Sequence, residues 1–520
     1  MRATGPQLIF EMTASQRLHY SRTDAELHAP LTKPEVRSIF YGLTLAMFLS
    51  ALNQTIVATA LPTIGREFGN LDNLSWVIIS YLLASTVVAP LYGKLSDIHG
   101  RRSMMLVSIG LFMAGSAASA AARDMTTLIL ARTLQGIGGG GIVPLTQTVI
   151  ADMVSPRERG RYQAYIGAAW VSAGTLGPAF GGIIAEHLHW SLIFWLNVPL
   201  GLVAALLTHR AMKRLPRHER AHQLDIIGAA LLMAAASLLL IALTSGGTRV
   251  PWLSPTIFAL LLSSFLVTAV LIWWLRRTKE PFLPVNVMRN PIMRAGTAAT
   301  SWTLGAVIGL TVFMPLYFQI VHNLSVSEAG FALIPVTVMT TPGSMLSGRS
   351  MMYLRHYKWS SIIGASIAIL SLFTLVLWPA MPLYGVMIVL VLTGFGAGTV
   401  YPVATVAIQN AVPAQHVGTA TGTMNFFRAL ASTLAVAIMG AILLGHLGAT
   451  LQRGGVGIEV LTQGGSGAFN MAAVFRWVFA AADVFLALAL AGILRMEERP
   501  LRGPATASVP AQAPPAAPAE

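Results

Sequence analysis

The sequence predicts an all-α integral membrane protein, and three observations lead to this fold class. Only 10% of its 520 residues are charged and 55% are hydrophobic, whereas a soluble protein carries about 25% charged residues. The apolar residues fall into fourteen segments, and an α-helix needs roughly 20 apolar residues to cross a bilayer. The Lys and Arg residues lie mainly in short loops between these segments, which is a signal of membrane topology.

The apolar segments set the predicted spans and their orientation. In chain order, the spans are 38–63, 74–95, 103–122, 126–151, 163–186, 191–208, 225–245, 254–276, 293–321, 327–347, 359–378, 382–411, 418–445 and 473–494. Alternate assignment of the loops to two sides places 26 Lys and Arg residues on one side and four on the other. The positive-inside rule then predicts that both termini are cytoplasmic. One span more or fewer would scramble this asymmetry.

Composition and missing motifs exclude several function classes. The chain has no Cys, so we expect neither disulfides nor Cys-ligated zinc. It has no phosphate loop of the G-x-x-x-x-G-K-[ST] type and no H-E-x-x-H cluster, so we expect no enzyme, no metal site and no cofactor. The net charge of +14 follows the loops and predicts no nucleic-acid partner. A secondary transporter is the default function for many helices without a soluble domain.

The N-terminal segment does not read as a targeting signal. Residues 1–36 are mixed polar and lack the apolar core of a cleavable signal peptide. We therefore expect the first span to stay in the protein.

The loop after span 2 is the first candidate for a moving part. It reads GKLSDIHGRRSMML from Gly93, and Gly93 and Gly100 permit a tight turn between two helices. We expect Asp97 to accept hydrogen bonds from the N-terminal N–H groups of a nearby helix and to pair with Arg101 or Arg102. Such a cluster can form and break as helix bundles move, so these residues are candidate gating residues.

Spans 4 and 5 are unusually rich in small residues. Span 4 reads LARTLQGIGGGGIVPLTQTVIAD and span 5 contains AGTLGPAFGG. Small residues let a neighbouring backbone approach, and a proline bends its helix. The candidate conformational residues of span 5 are Gly177, Pro178, Gly181 and Gly182. The alternative is a close-packed helix crossing with no direct part in transport.

These stretches resemble motifs of the major facilitator superfamily. The Asp97 loop resembles G-x-L-a-D-r-x-G-r-[rk], with Ile98 where the family usually has Arg; span 4 resembles R-x-x-q-G, and span 5 resembles the antiporter motif G-x-x-x-G-P-x-x-G-G. The stretches ALNQTIVATALP, WLNVPLG and the segment 401–442 are similar to the fourteen-helix drug:proton antiporters, a multidrug efflux family. A degenerate echo of the Asp97 loop, GSMLSGRSMMYLRHYK, lacks the Asp and indicates an internal repeat.

The resemblance covers roughly residues 38–495 and implies an architecture. It predicts a major facilitator fold with two six-helix bundles and two inserted helices. The implied divisions are a cytoplasmic segment 1–37, a first bundle 38–208, a basic loop with two inserted helices 209–292, a second bundle 293–495 and a disordered tail 496–520. It also implies export of small hydrophobic or amphipathic compounds with protons as the coupling ion, in a bacterial inner membrane. Whether a periplasmic adaptor takes part is left open.

Two polar residues in span 1 call for a partner. At ~1.5 Å per residue, Asn53 lies about 22 Å from the cytoplasmic end of its span, and Arg132 in span 4 lies at about the same level. Asn53 or Gln54 would accept a hydrogen bond from Arg132 if their faces meet. The family usually carries Asp at the position of Asn53. Since an amide cannot carry a proton, coupling through span 1 is in doubt.

The second half offers a different candidate for proton coupling. Asp483 lies near the middle of span 14, and Arg428 lies at a similar depth in span 13. Because these spans are consecutive and antiparallel, an Arg428–Asp483 pair is predicted. The pair would be either a permanent salt bridge or a titrating acid with its partner.

A substrate cavity between the bundles should take polar and aromatic residues near mid-depth. Core packing or interfacial anchoring is an equally good interpretation of any single one. The candidates are Gln54, Gln135, Gln147, Trp170, Trp302, Phe313, Tyr317, Gln319, Gln409 and Asn425. The shortage of acids in the spans disfavours dications and permits neutral, amphipathic or anionic compounds.

Three functions remain in competition at this point. The first is an efflux antiporter driven by the proton gradient. The second is a proton-independent facilitator or dedicated metabolite exporter, which Asn53 favours. The third is a membrane sensor or scaffold that does not transport, which the glycine and proline hinges disfavour.

Overall fold

The protein is described here by a computed structural model that covers residues 32–69, 73–214, 225–247, 250–278, 281, 285–454 and 471–501. Within these residues the chain forms fourteen helical elements, α1 to α14, which follow the order of the predicted spans. Most of the predicted N-terminal segment, of the basic loop after span 6 and of the tail lies outside the described residues, as does all of the loop between α13 and α14.

The first eight elements have the following bounds. They are α1 Lys33–Phe68, α2 Leu74–His99, α3 Arg101–Ala120, α4 Met125–Met153, α5 Pro156–His187, α6 with its two parts Leu192–Trp195 and Asn197–Ala211, α7 Ile226–Ser245 and α8 Pro255–Arg277. The remaining six are α9 Pro291–Val321, α10 Ile334–Tyr353, α11 Lys358–Leu377, α12 with its two parts Leu383–Gly398 and Val400–Ala411, α13 Val417–Gly454 and α14 Met471–Arg495. Short helices Val285–Arg289 and Val326–Phe331 precede α9 and α10.

Some helices extend beyond their predicted ends. α1 begins at Lys33 because Thr32 caps it and Glu35 accepts from the Thr32 N–H at 2.9 Å. α13 continues to Gly454, whereas the prediction ended the span at residue 445. The boundary between α2 and α3 agrees with the predicted turn, since Gly100 has φ +87°, a conformation that favours glycine.

Among the described residues, thirteen helical segments are long and apolar enough to cross a membrane. The element missing from that set is α5, although it has 32 residues. Its first two turns carry Arg157, Glu158, Arg159 and Arg161, and its later turns are rich in small residues. Its weak hydropathy follows from that composition. The protein is a multi-pass membrane protein with the predicted all-α fold.

The helices form two bundles around separate apolar cores. The first bundle, α1 to α6, buries clusters that include Ile39, Phe112 and Trp190. The second bundle, α9 to α14, buries a cluster that includes Leu310 and Phe475. The predicted pair of six-helix bundles is therefore present.

The inserted helices α7 and α8 pack on each other and against both bundles. Leu232 and Leu271 share an apolar cluster with Val87 of α2 and Phe426 of α13. The outward side of α8 exposes large apolar residues such as Phe265, which is 69% accessible. In a bilayer this surface faces lipid.

One face of the molecule carries most of the basic residues of the first bundle. The ends of α2 and α4 and the starts of α3 and α5 lie there, together with Arg101, Arg102, Arg157, Arg159 and Arg161. We call it the basic face. The start of α13 lies on this face as well, because Asp97 at the end of α2 binds it.

The two bundles meet along two seams near the basic face. In the first, the Asp97 seam, α2 packs on α13, and a Cβ at Gly93 would collide with the Gly418 carbonyl. In the second, the Gly160 seam, α5 packs on α10, and a Cβ at Gly160 would lie 2.8 Å from the Gly348 carbonyl oxygen. Both seams depend on glycine because the backbones approach too closely for a side chain.

The opposite half of α13 borders open space. Its residues Ile438, Ala441, Ile442, Gly445 and His446 line an open cavity of about 530 Å³. Among the described residues, the hydrogen bonds between the bundles lie in the half next to the basic face. The cleft between the bundles is thus closed on the basic side.

Candidate functional site

Asp97 joins the two bundles through its carboxylate. Its Oδ1 accepts from the Gly418 N–H at 3.1 Å, and its Oδ2 accepts from the Thr419 N–H at 2.8 Å and from the Thr419 hydroxyl at 2.7 Å. Gly418 and Thr419 stand in the first turn of α13, where unpaired N–H groups and the helix dipole favour an anion. The predicted contact of Asp97 with a helix N-terminus is present.

Arg101 holds the same carboxylate from the other side. Its Nη1 donates to Asp97 Oδ1 and to the Ser96 hydroxyl, and its Nε donates to Asp152 Oδ2 at 2.8 Å. Of the two predicted partners, Arg101 is therefore the one that pairs with Asp97. Arg102 points instead to His209, at 3.0 Å from its Nε2. Asp152, at the end of α4, anchors Arg101 within the first bundle.

Among the described residues, no carboxylate is hydrogen-bonded across the Gly160 seam. The echo of the Asp97 loop lies at the end of α10, where Gly348 packs on the backbone of Gly160 and Arg349 is exposed. The hydrogen bonds between bundles in the described residues do not include this seam. The repeated motif therefore keeps its glycine at this seam but lacks an acid that binds the other bundle, as Asp97 does at the Asp97 seam.

The glycines of α5 have unequal surroundings. A Cβ at Gly177 would collide with Thr55 of α1, and one at Gly181 would collide with Thr59. A Cβ at Gly182 would meet no atom within 4 Å, so no neighbouring helix approaches this glycine closely in this arrangement. It lies about 100° around the helix from Gly181. Pro178 is within α5, and its side chain is outside those described.

A sealed polar cluster occupies the centre of the first bundle. Gln135 connects it: its Oε1 accepts from Arg132 at 2.6 Å, and its Nε2 donates to Asn53 Oδ1 at 3.2 Å and to the Ser116 hydroxyl at 3.0 Å. Asn197 donates to the same two oxygens at 3.3 and 3.0 Å. The predicted Asn53–Arg132 contact is therefore indirect, because Gln135 lies between them.

Arg132 is almost completely buried, at 1% exposure. Its Nε donates to the Val77 carbonyl at 3.0 Å, and its guanidinium lies 4.4 Å from the Tyr81 ring centroid and 5.7 Å from that of Phe194. The described contacts supply one backbone carbonyl, one side-chain amide oxygen and two aromatic faces in place of a carboxylate. An unsatisfied Arg costs at least ~2.5–3.5 kcal/mol in a membrane, so this cage offsets a substantial penalty.

Asn53 and Asn197 complete the cluster. Asn53 is fully buried, and its Nδ2 has no hydrogen-bond partner. Asn197 opens the second part of α6 within the WLNVPLG stretch, which pointed to the family but not to this site. Gln54 is only half-buried beside the cluster. Gln135, which was predicted to contact substrate, instead belongs to this sealed interior.

A second polar group crosses between the bundles next to the basic face. Asn425 of α13 donates to Gln147 Oε1 of α4 at 2.8 Å, and Gln409 of α12 donates to the Gln147 carbonyl at 3.3 Å. Gln409 also donates to the Thr421 hydroxyl at 3.3 Å. Three predicted substrate residues, Gln147, Gln409 and Asn425, therefore meet at the closed end of the cleft. We call these three residues the cleft floor.

Arg428 stands about one turn above the floor. Its Nη1 donates weakly to Asn425 Oδ1 at 3.5 Å, and its guanidinium lies 5.1 Å from the ring centroid of Tyr401. The Arg428 Nε and the Tyr401 hydroxyl have no hydrogen-bond partner. Tyr401 was not singled out from the sequence, where it reads as one more aromatic residue of span 12.

The predicted Arg428–Asp483 pair is not formed. Asp483 has an Oδ1 without a hydrogen-bond partner. It shares its helix face with Leu490, which packs against an apolar cluster that includes Ala365 of α11 and Ala299 of α9. Trp477 of α14 stacks on His446 of α13, with 5.2 Å between the ring centroids. At 100° per residue, Trp477 lies about 120° around α14 from Asp483. Depth along the two helices was compatible with a pair, but their rotation directs Asp483 away from α13.

The aromatic candidates of α9 belong to the core of the second bundle. Tyr317 is fully buried, and its hydroxyl donates to the Pro379 carbonyl at 2.8 Å. Trp302 stacks on Phe485 at 5.2 Å, and Phe313 packs against the same core. The Gln319 Nε2 donates to the backbone carbonyl of Pro315 in the same helix at 3.2 Å.

Trp170 of α5 packs against apolar clusters of the first bundle. The expectation that these residues line the cleft is wrong for the buried Tyr317, because an aromatic residue at mid-depth packs equally well inside a bundle. The partly buried Trp170, Trp302, Phe313 and Gln319 are placed by packing or by bonds within their own bundle.

Comparison with known proteins agrees with this architecture. Residues 43–436 match the family model of the Major Facilitator Superfamily. The chain is 32% identical to Multidrug resistance protein 3 of Bacillus subtilis over 408 residues, which cover 78% of this chain and 79% of that protein. It is 31% identical to the MFS-type efflux pump LUC4 of a Fusarium species over 469 residues, which cover 85% and 80% of the two chains.

A solved structure has the same fold at low sequence identity. The human organic anion transporter MFSD10 matches with a TM-score of 0.62 and 18% identity, over 90% of this chain and all of that one. At this identity the likeness concerns the fold alone.

Proposed function

This chain belongs to the major facilitator superfamily and is a transporter of the efflux type; we propose that it exports hydrophobic or amphipathic compounds by alternating access coupled to proton antiport. The observation that carries the proposal is the uneven contact between the bundles. The cleft is closed by the Asp97 seam, the Gly160 seam and the cleft floor on the basic side, while α13 borders open space on the other side. Rocking of one bundle against the other would reverse this arrangement.

The proposal orients the molecule with its basic face in the cytoplasm. The positive-inside rule supports this orientation, and the closed side of the cleft is then the cytoplasmic side. Both termini are cytoplasmic in this arrangement, and the family resemblance points to a bacterial inner membrane. Reporter tags that located Arg214 and Arg249 on one side of the bilayer would overturn the topology.

Asp483 is the proposed proton carrier. It lies near the middle of α14, and the sealed cluster around Asn53 contains no carboxylate among its described members. A carboxylate with an unpaired oxygen in a membrane span is a functional-site hypothesis by default. Its protonation would be linked to bundle motion through the packing of α14 on α9 and α11.

The test is transport in proteoliposomes with an imposed pH gradient. We expect the full-length chain to move an amphipathic dye against its gradient, and Asp483→Asn to reduce this coupled transport by about tenfold or more, since an amide cannot carry a proton. Exchange of dye down its own gradient should persist in the variant. The matched control is Asp124→Asn. It changes the exposed residue that caps the start of α4, on the face of the molecule opposite the basic face. Unchanged pH-driven transport in Asp483→Asn would exclude this residue as the carrier.

A proton-independent exporter is the second candidate, and Asn53 is the observation that favours it. The amide stands at the centre of a network in which its oxygen accepts two hydrogen bonds and its nitrogen has no partner. Under this alternative, the wild-type protein transports dye only down its gradient, and the pH gradient has no effect. If Asn53→Asp then gains transport driven by the pH gradient, the result would show that coupling to protons was lost at position 53.

A further inference from the structure

Arg428 is a cation at the inner end of the cleft with unused hydrogen-bonding capacity. Its one hydrogen bond, to Asn425, is 3.5 Å long, and its Nε has no partner. An arginine normally presents a planar fork of donors that matches a carboxylate. The described contacts of Arg428 are an amide oxygen and the Tyr401 ring, so its positive charge has no anionic counterpart.

Arg428 lies on the side of α13 that borders the open cavity farther along the helix. Eighteen residues make five full turns of an α-helix, so His446 lies on the same side of α13 as Arg428. His446 and Ile442, which is within about 40° of that side, line the cavity along the outer half of α13. Ile438, the cavity residue nearest to Arg428 along the helix, lies ten residues or about 15 Å away, so Arg428 lies deeper along α13 than this cavity.

The neighbours of Arg428 suit an anionic group. The Tyr401 hydroxyl lacks a hydrogen-bond partner and can donate beside the guanidinium, while Asp483 faces away from α13. Arg132 in the first bundle is a useful contrast. Its exposure is 1% and its guanidinium is held by Gln135, Val77 and two aromatic rings, so it serves the interior of the bundle.

We propose that Arg428 and Tyr401 bind the anionic group of the transported compound, a carboxylate or sulfonate on an apolar body. The Arg428 guanidinium donates to two oxygens of the group, the Tyr401 hydroxyl also donates to it, and the apolar body extends along α13 toward Ile438, about 15 Å farther along the helix. This inference rests on the proposed export function and specifies its substrate class. It assigns recognition to the second bundle, at the level just above the cleft floor.

The test compares two probes that share an aromatic skeleton. These are 1-anilinonaphthalene-8-sulfonate, an anion, and N-phenyl-1-naphthylamine, which lacks the sulfonate and is neutral. Binding of each is measured to the full chain in nanodiscs, with empty nanodiscs as the background. Because a charge-assisted contact is lost, we expect Arg428→Gln to weaken binding of the anion by roughly tenfold, with binding of the neutral probe within about twofold.

Two further variants keep the result interpretable. Arg428→Lys retains the charge without the planar fork, so it should keep a preference for the anion that is smaller than in the wild type. Arg476→Gln makes the same change at an exposed arginine of α14 and should leave both affinities unchanged. Thermal unfolding of each variant in nanodiscs checks that it is folded.

The outcomes separate this inference from the proposed function. Equal weakening of both probes in Arg428→Gln, or an unchanged affinity for the anion, overturns the inference. Wild-type protein that binds the neutral probe but not the anion overturns it as well. The proposed function is tested separately by efflux of the neutral probe from cells with and without the protein, and absence of efflux counts against that function while the binding ratio still decides the role of Arg428.

Discussion

The two seams between the bundles are built from the same kind of helix contact but are held differently. At the Asp97 seam, glycine packing is joined by three hydrogen bonds from the start of α13 to one carboxylate. At the Gly160 seam, Gly160 and Gly348 bring two backbones together without a carboxylate. Charge-assisted hydrogen bonds are about twice as strong as neutral ones, so closure of the basic side should depend more on the first seam than on the second.

The difference suggests a division of labour. The Asp97 seam can be switched, because an ionic group can leave a helix N-terminus when the bundles move. The Gly160 seam opposes motion only through packing and acts as a pivot that requires small residues. The absence of Cys in the chain makes this testable with single introduced cysteines. Thr423 is suitable as a reporter, because it is 1% exposed and lies one turn beyond Thr419 on the same face of α13.

The largest effect is expected from Asp97→Asn in a Thr423→Cys background. The change removes the charge from three contacts to α13 and from the pair with Arg101, and hydrogen bonds to charged groups contribute about 1.5–3 kcal/mol each. Labelling of the cysteine by a membrane-impermeant maleimide in inside-out vesicles should rise by roughly ten- to a hundredfold. Asp152→Asn is the control, since Asp152 binds Arg101 but not α13. Equal labelling in the two variants would contradict a specific role of Asp97 in closing the basic side of the cleft.

A smaller effect is expected at the other seam from Gly348→Ala. The new methyl group would collide with the Gly160 carbonyl, and overpacking of a close contact costs about 1–3 kcal/mol. Efflux of an amphipathic dye should fall by roughly fivefold or more. Gly167→Ala, on the partner helix α5 of the same seam, is the matched control, because its Cβ would lie 3.8 Å from the nearest atom, Ser344 Oγ. Efflux that is equally low in both variants would show that the close approach is not the cause.

The smallest effect is expected from Thr419→Val. This change removes the 2.7 Å hydroxyl bond to Asp97 but keeps the 2.8 Å backbone bond, so it costs about 1.5 kcal/mol, the lower end of the range for one hydrogen bond to a charged group. Labelling at Thr423→Cys should increase by about tenfold. Thr419→Ser keeps the hydroxyl and should match the parent. A rise as large as that of Asp97→Asn would contradict the view that the carboxylate charge dominates.

Sequence reasoning succeeded where a motif specifies both partners of a contact. The Asp97 loop predicted an acid at a helix N-terminus and a nearby arginine, and Arg101 occupies that place. It succeeded only in part at Arg132. Depth along the spans placed Arg132 level with Asn53, but it did not reveal that Gln135 would lie between them.

The failures have one geometric cause. Distance along a helix follows from residue number, whereas the direction of a side chain depends on how the helix is rotated within its bundle. Arg428 and Asp483 are level yet face different neighbours, and Tyr317 points into a core rather than into the cleft. Tyr401 and Asn197 were missed because neither stands out in its own segment.

The sequence by itself determined that this is a membrane protein, the order of its helices and the pairing of Asp97 with an arginine and a helix N-terminus. It did so because length, hydropathy and local charge are properties of the chain. Only the tertiary structure decided which buried polar groups share a network and which face the cleft. That choice depends on helix rotation and on contacts between segments far apart in the chain. Arg132 and Arg428 are both arginines near mid-membrane, and packing alone makes one an internal member of a sealed network and leaves the other with unused donors.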